Sequence, residues 1–302
     1  MTQSRFDSAS RQARLPFWRT IFESWRFPLA RFRDLARLGW LPLLLLLATG
    51  LLFGNFEAVS SGDGGSPVIL TGLLGALVQG SIAVVFLVAW HRLVMREYGG
   101  AATAPFAGMT RSAGLYYLQM LLLSLLFLAV WAVAFLAVWF PAILAYLAVT
   151  GVSPEQLLGV KPGEDPAAID AQVVIGFIAL LIGLLPAFYV ALRLSLVLPA
   201  TAVAERRGRF GQAWRASDGN GWRMVGATIL AMLPIKIFNL GVGFFARGNA
   251  GNALHYPLVL LAALGMLYLM AVMGTVLSRC YGFAESRAGE ESPETTPVPA
   301  AG

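Results

Sequence analysis

The chain has 302 residues, 58% of them hydrophobic and 13% charged, with a formal net charge of +6. A soluble domain carries about 45–50% apolar and about 25% charged residues, so this chain has too little charge to cover a water-facing surface and too much apolar material for disorder. What remains is an all-α fold, a polytopic transmembrane helical bundle.

Residues 1–15 read as a flexible N-terminus. Residues 16–37 form an amphipathic arm. Phe17, Trp18, Ile21, Phe22 and Trp25 recur at helical spacing on one stripe, with Arg19 and Arg26 off it. Pro28 is expected to break or restart the helix. Leu29, Phe32 and Leu35 then continue the apolar stripe, flanked by Arg31, Arg33 and Arg37. Aromatic residues opposite arginines describe a helix lying in a membrane interface, with Trp18, Arg19, Trp25, Arg26, Arg31 and Arg33 as lipid contacts. A helix folded back on the bundle is the alternative.

Residues 38–284 hold six apolar runs of the length that spans a bilayer. They cover about 38–55, 68–93, 115–150, 173–194 with an apolar extension to Val203, 222–245 and 256–281. The third run has 36 residues, about 54 Å of helix against a hydrocarbon core of about 30 Å. Pro141 divides it, so one tilted span ending near Phe140 is expected, followed by a short interfacial or re-entrant piece. Between the third and fourth runs, Ser153-Pro154-Glu155 marks the start of a short helix through Val160. Gly208 and Gly211 close the fourth run. Gln212–Ser217 reads as a turn of amphipathic helix, and Asp218-Gly219-Asn220-Gly221 as a turn. Residues 285–302 read as a disordered tail.

Basic residues in short flanks set orientation. Eighteen fall on the side that holds both termini, Arg92 among them, and two, Lys161 and Arg247, on the other. Both termini are therefore expected in the cytoplasm, with an even number of spans. No cleavable signal is evident, because 37 residues of arginine-rich arm precede the first run. Twenty of the 22 basic residues are arginine. In a membrane chain they point to anionic lipid rather than to nucleic acid.

An ionisable residue inside a span is a functional hypothesis. Lys236 is one, beside Pro234 and three residues before Asn239, so that lysine and amide share a face. The pair can bind an anionic headgroup or solute; snorkelling to the outer interface is the plainer reading. Arg193, near the end of the fourth run, reads as an anchor at the helix end or a partner for anionic lipid. Gly72, Ala76 and Gly80 recur every four residues and suit helix packing. Gln79 and Gln119 can hydrogen-bond between helices, and His91 reads as interfacial. One cysteine, Cys280, excludes an internal disulfide and a thiolate cluster. His91 and His255 are too few and too far apart for a histidine-built metal site. No cofactor, metal or catalytic residue is expected: the runs contain no Asp or Glu, and no H-E-x-x-H, G-x-S-x-G or Walker A motif is present.

The segment from Arg193 to Arg223 carries a resemblance. It holds Arg193 near a span end, Leu198-Pro199-Ala200, the basic turn Glu205-Arg206-Arg207, Ala213-x-x-x-Ser217 and Gly219-Asn220-x-Trp222. This order resembles that of uncharacterised bacterial six-span membrane families, including the membrane region attached to some glycerophosphoryl diester phosphodiesterases. The resemblance implies architecture and a bacterial inner-membrane location. The phosphodiesterase catalytic domain has no counterpart, so that activity is not implied. A similar order before the third run, Gly99-Gly100 then Met109–Gly114 and Tyr116-Tyr117, fits a weak internal repeat or chance likeness of membrane flanks.

The function expected from these readings is a non-enzymatic accessory or envelope-maintenance factor contacting anionic lipid. A permease or lipid transporter using the Lys236 region and the membrane subunit of an enzyme complex are the alternatives. The sequence specifies no protein partner. An internal polar cavity marks a transporter, and a packed, dry bundle marks a scaffold.

Overall fold

The computed structural model describes residues 14–60, 66–97, 104–151, 166–204, 209–249 and 252–290. These residues are all-α: α1 (Phe17–Ala30), α2 (Phe32–Ser60), α3 (Ser66–Glu97), α4 (Met109–Thr150), α5 (Pro166–Leu194), α6 (Val197–Ala204), α7 (Phe210–Ala216), α8 (Gly221–Gly248) and α9 (His255–Glu290). No strand occurs among them. Five helical stretches are long and apolar enough to cross a membrane, at 74–97, 109–150, 173–203, 221–246 and 255–286, which makes this a multi-pass membrane protein. The remaining expected span, 38–55, falls in α2, whose side chains beyond Thr49 lie outside the described residues.

The chain forms two compact units. In the first, residues 1–120 and 195–302, α9 is the central helix and touches α1, α2, α3, α6, α7 and α8. Its core is Phe86, Val88, Trp90 and Val94 of α3 against Ala271, Val272 and Val276 of α9, with Ala227 and Ala231 of α8. In the second, residues 121–194, α4 carries a ladder of Trp131, Phe135 and Trp139 with ring centroids 5.6 and 6.2 Å apart. Gly183 of α5 meets the Phe135 backbone so closely that a Cβ there would lie 3.0 Å from its nitrogen. Small residues permit this approach where apolar solvent gives helices no other reason to associate.

Several expectations need correction. Pro141 does not end the third span: α4 runs unbroken from Met109 to Thr150. A proline frees one carbonyl, whereas unwinding the helix would free several. Pro28 lies inside α1, and the chain breaks three residues later at Arg31. The arm is thus not one element to Arg37, because Phe32–Arg37 opens α2. The fourth run breaks at Ser195-Leu196, where Leu198 N–H bonds back to the Ser195 carbonyl. Pro199 then sits in the first turn of α6, where a missing N–H costs little. Gly211 lies within α7 rather than ending the fourth run, and α9 continues to Glu290, past the expected start of the tail. The helix expected at 153–160, Gly208 and the tail after Glu290 lie outside the described residues. The turn at 217–220 forms as expected, with Gly219 at φ +70°.

Candidate functional site

The site is built on α1 and the first turns of α2. Helix α1 is apolar on two faces. One face, Thr20, Ile21, Ser24, Phe27 and Pro28, is buried, and the helix packs on α8 and α9. The hydroxyls of Thr20 and Ser24 donate to the carbonyls one turn back, Pro16 and Thr20, so burying them leaves no orphan donor. The Trp25 indole N–H donates to the Ala231 carbonyl of α8 at 2.9 Å, and the Tyr268 hydroxyl of α9 donates to the Trp25 carbonyl at 2.9 Å. Before α1, Leu15 N–H donates to Asn220 Oδ1 at 2.9 Å and Arg223 donates to the Leu15 carbonyl at 2.9 Å. Glu23 pairs with Arg19 and with Arg279 of α9. Arg31 pairs with Glu97 at the end of α3.

The other face is open. Trp18 is 63% exposed and Phe22 68%. Leu29, Phe32, Trp40 and Leu41 continue the exposed apolar row. Arg19, Arg26, Arg33 and Arg37 are exposed around it. The single stripe read from the sequence therefore divides: Ile21 and Trp25 turn to the bundle, and Trp18 and Phe22 turn away. Large aromatic residues interleaved with arginine, held on a fastened helix, match the chemistry of a bilayer interface.

Beneath α1 lies a buried polar layer. His91 is fully buried, with Nδ1 2.7 Å from Ser278 Oγ and Nε2 3.0 Å from Tyr116 Oη. Trp90 Nε1 donates to Thr275 Oγ1 at 3.0 Å. Thr201 donates to Gln119 Oε1 at 2.5 Å, joining α6 to α4. Arg92 is also fully buried. Its Nε donates to the Ala202 carbonyl at 2.7 Å and one Nη to Ser112 Oγ at 2.7 Å, while the other Nη donates to the Ala107 carbonyl. One expectation is corrected here: His91 is a core residue, not an interfacial one. Arg92, counted in the sequence only among the flanking basic residues, is a buried clasp on the 104–107 segment. The sequence signal was faint: a Trp-His-Arg run inside apolar residues, opposite Gly274, Thr275 and Ser278 at helical spacing. Gly274 makes room for it, since a Cβ there would lie 3.0 Å from Trp90 Cδ1.

The other singled-out residues are not gathered into one place. Lys236 is exposed on α8. Asn239 turns instead toward Gly265 of α9, with its Oδ1 buried and lacking a hydrogen-bond partner. Arg193 is buried, its guanidinium 5.5 Å from the Tyr189 ring centroid and 3.2 Å from the Tyr189 hydroxyl. Of the small-residue series, Gly80 faces Tyr117 and Met120, and Ala76 is exposed. The surroundings of Gly72 lie outside the described residues, and Gln79 is half-buried. No group of three or more His, Cys, Asp or Glu able to hold a metal occurs among the described residues.

Among the described residues of the first unit, three surface grooves bear on the candidate site. One of about 220 Å³ between α6, α7 and α9 has Arg209, Gln212, Tyr281 and Glu285 at its rim. One of about 370 Å³ lies between α1, α8 and α9, around Trp25, Pro234 and Tyr268. A third, of about 640 Å³, runs between α2 and α3. Lys236 lines none of the three. Comparisons with protein-family models, curated proteins and solved structures returned no match. None of these comparisons links the chain to the phosphodiesterase membrane region that residues 193–223 and the six-run layout resemble.

Proposed function

We propose that this protein is a six-span accessory or envelope-maintenance factor of a bacterial inner membrane, with both termini cytoplasmic and its basic face on anionic lipid. The observation that carries the reading is the exposed row Trp18, Phe22 and Leu29 on α1, a helix bonded to α8 and α9, continued by Phe32 at the start of α2 and set among exposed arginines. Each basic residue near an anionic surface contributes about 1 kcal/mol, and the aromatic side chains add apolar burial in the interface. The paired polar groups of the bundle core support a packed scaffold over a transport path.

The test is complementation of a deletion strain. Loss of the gene is expected to raise envelope permeability to an impermeant dye. The wild-type chain restores the barrier, and a Trp18→Ser, Phe22→Ser double variant inserts at normal levels without restoring it. Full rescue by that variant would remove the basis of this reading.

A further inference from the structure

Groove and charge meet at one place on the surface of the first unit. The 640 Å³ groove between α2 and α3 is walled by Leu38, Leu41, Leu45, Ile82, Val85 and Phe86. Arg37 stands at one end with Trp40 and Phe106, and Ser81 at the other. The Ser81 hydroxyl already donates to the Leu77 carbonyl at 2.9 Å, so it has no hydrogen left for an anion, and the wall between the two ends is apolar. From Arg37 to Leu45 the groove follows about 12 Å of helix axis at 1.5 Å per residue.

The charge at the mouth is unbalanced. Arg33 and Arg37 are both exposed and lie four residues apart on α2, and no carboxylate among the described residues pairs with either. Like charges at this spacing disfavour a helix. An anion lying between the two guanidiniums removes that repulsion and gains charge-assisted hydrogen bonds. The arginine nearest in sequence, Arg31, is already held by Glu97 and Asp34; Arg37 lines the mouth, and Arg33, one helical turn earlier on the same face of α2, is the second cation within reach of it.

We infer that the groove between α2 and α3 is a binding site for one anionic glycerophospholipid, its phosphate held by Arg33 and Arg37 and the upper part of one acyl chain laid along Leu41, Leu45, Ile82 and Val85. This rests on the reading that the basic face meets anionic lipid, and it adds a discrete site to a diffuse surface. The apolar wall excludes a polar solute as occupant, and the arginine pair selects a net-negative headgroup over a zwitterionic one.

The test uses the full chain purified in detergent. Native mass spectrometry reads the lipid retained when phosphatidylglycerol or phosphatidylcholine is added at equal concentration. The expected result is retention of one phosphatidylglycerol, with phosphatidylcholine held at least about tenfold less well, as two arginines near an anion imply. Two independent variants should each abolish that preference: the Arg33→Gln, Arg37→Gln pair, which removes the charge, and Val85→Trp, which fills the groove. A matching thermal melt without lipid shows that either variant is folded. Inorganic phosphate should not compete; competition at equal concentration would mean an ion site and overturn the lipid assignment. A phosphatidylglycerol preference that survives both variants overturns the groove while leaving the diffuse basic face standing. No preference in the wild-type chain overturns both.

Discussion

The imidazole Nε2 of His91 lies 3.0 Å from the hydroxyl of Tyr116, and both side chains are shut away from solvent. With Ser278 on the other ring nitrogen, one histidine of α3 ties α4 and α9 together inside an apolar bundle. An unpaired polar group in such a place is expensive, so the three residues form a unit that is stable only when complete. His91→Phe keeps an aromatic ring, slightly larger than imidazole, and leaves Ser278 and Tyr116 without their partner. It should destabilise the detergent-solubilised protein by about 2–4 kcal/mol, read as a lower melting temperature. The triple change His91→Phe, Tyr116→Phe, Ser278→Ala should recover a large part of that loss. An unaltered melt for His91→Phe would show that the cluster does not hold the helices.

A second expectation concerns helix approach. Gly274 faces Trp90, Leu87 and His91, whereas Gly241 has nothing within 4 Å of where a Cβ would stand. Gly274→Leu should force α3 from α9 and cost about 1–3 kcal/mol or more. Gly241→Leu should be close to neutral. Equal melting temperatures for the two variants would contradict the packing described here.

Much of the architecture was legible in the sequence and much of the site was not. Apolar runs separated by glycine, proline and charge gave the long helices, because spanning length and composition leave few alternatives. Helix ends were less legible. Pro141 and Pro28 read as breakers, yet both lie inside helices, because a proline removes one hydrogen bond and the rest of the helix keeps its own. The division of the α1 stripe between Trp25 and Trp18 was hidden because aromatic residues serve a protein core and a lipid interface equally well. The burial of His91 and Arg92 was not legible because their partners, Ser278 and Ala202, are about 190 and 110 residues distant. No local pattern reports such a pairing.

Lys236 provides a third test. It is exposed on α8 and stands apart from the buried Asn239 oxygen. Lys236→Met should leave membrane levels and complementation unchanged, since removing a charge from a lipid-facing helix relieves a cost. Loss of complementation with normal insertion would instead favour an anion-binding or transport role for this segment.

The proposed topology rests on 18 basic residues in the flanks assigned to one side against two in those assigned to the other. In a Cys280→Ser background, cysteines introduced by Ser61→Cys and by Gly163→Cys should react with an impermeant thiol reagent in intact cells. Ala288→Cys should react only after permeabilisation. The reverse pattern would invert the orientation and remove the basic face from the anionic leaflet.

The most direct measurement places the exposed face of α1 in the bilayer. The full chain, with Cys280→Ser and either Phe22→Cys or Leu29→Cys, is labelled with an environment-sensitive fluorophore and reconstituted into vesicles containing phosphatidylglycerol. Lipids carrying a nitroxide at a shallow or a deep position on the acyl chain then act as quenchers. Quenching by the shallow nitroxide that exceeds quenching by the deep one, at both positions, is the predicted result. Emission typical of water, with neither nitroxide effective, would contradict it and leave α1 as a helix docked on the bundle outside the membrane.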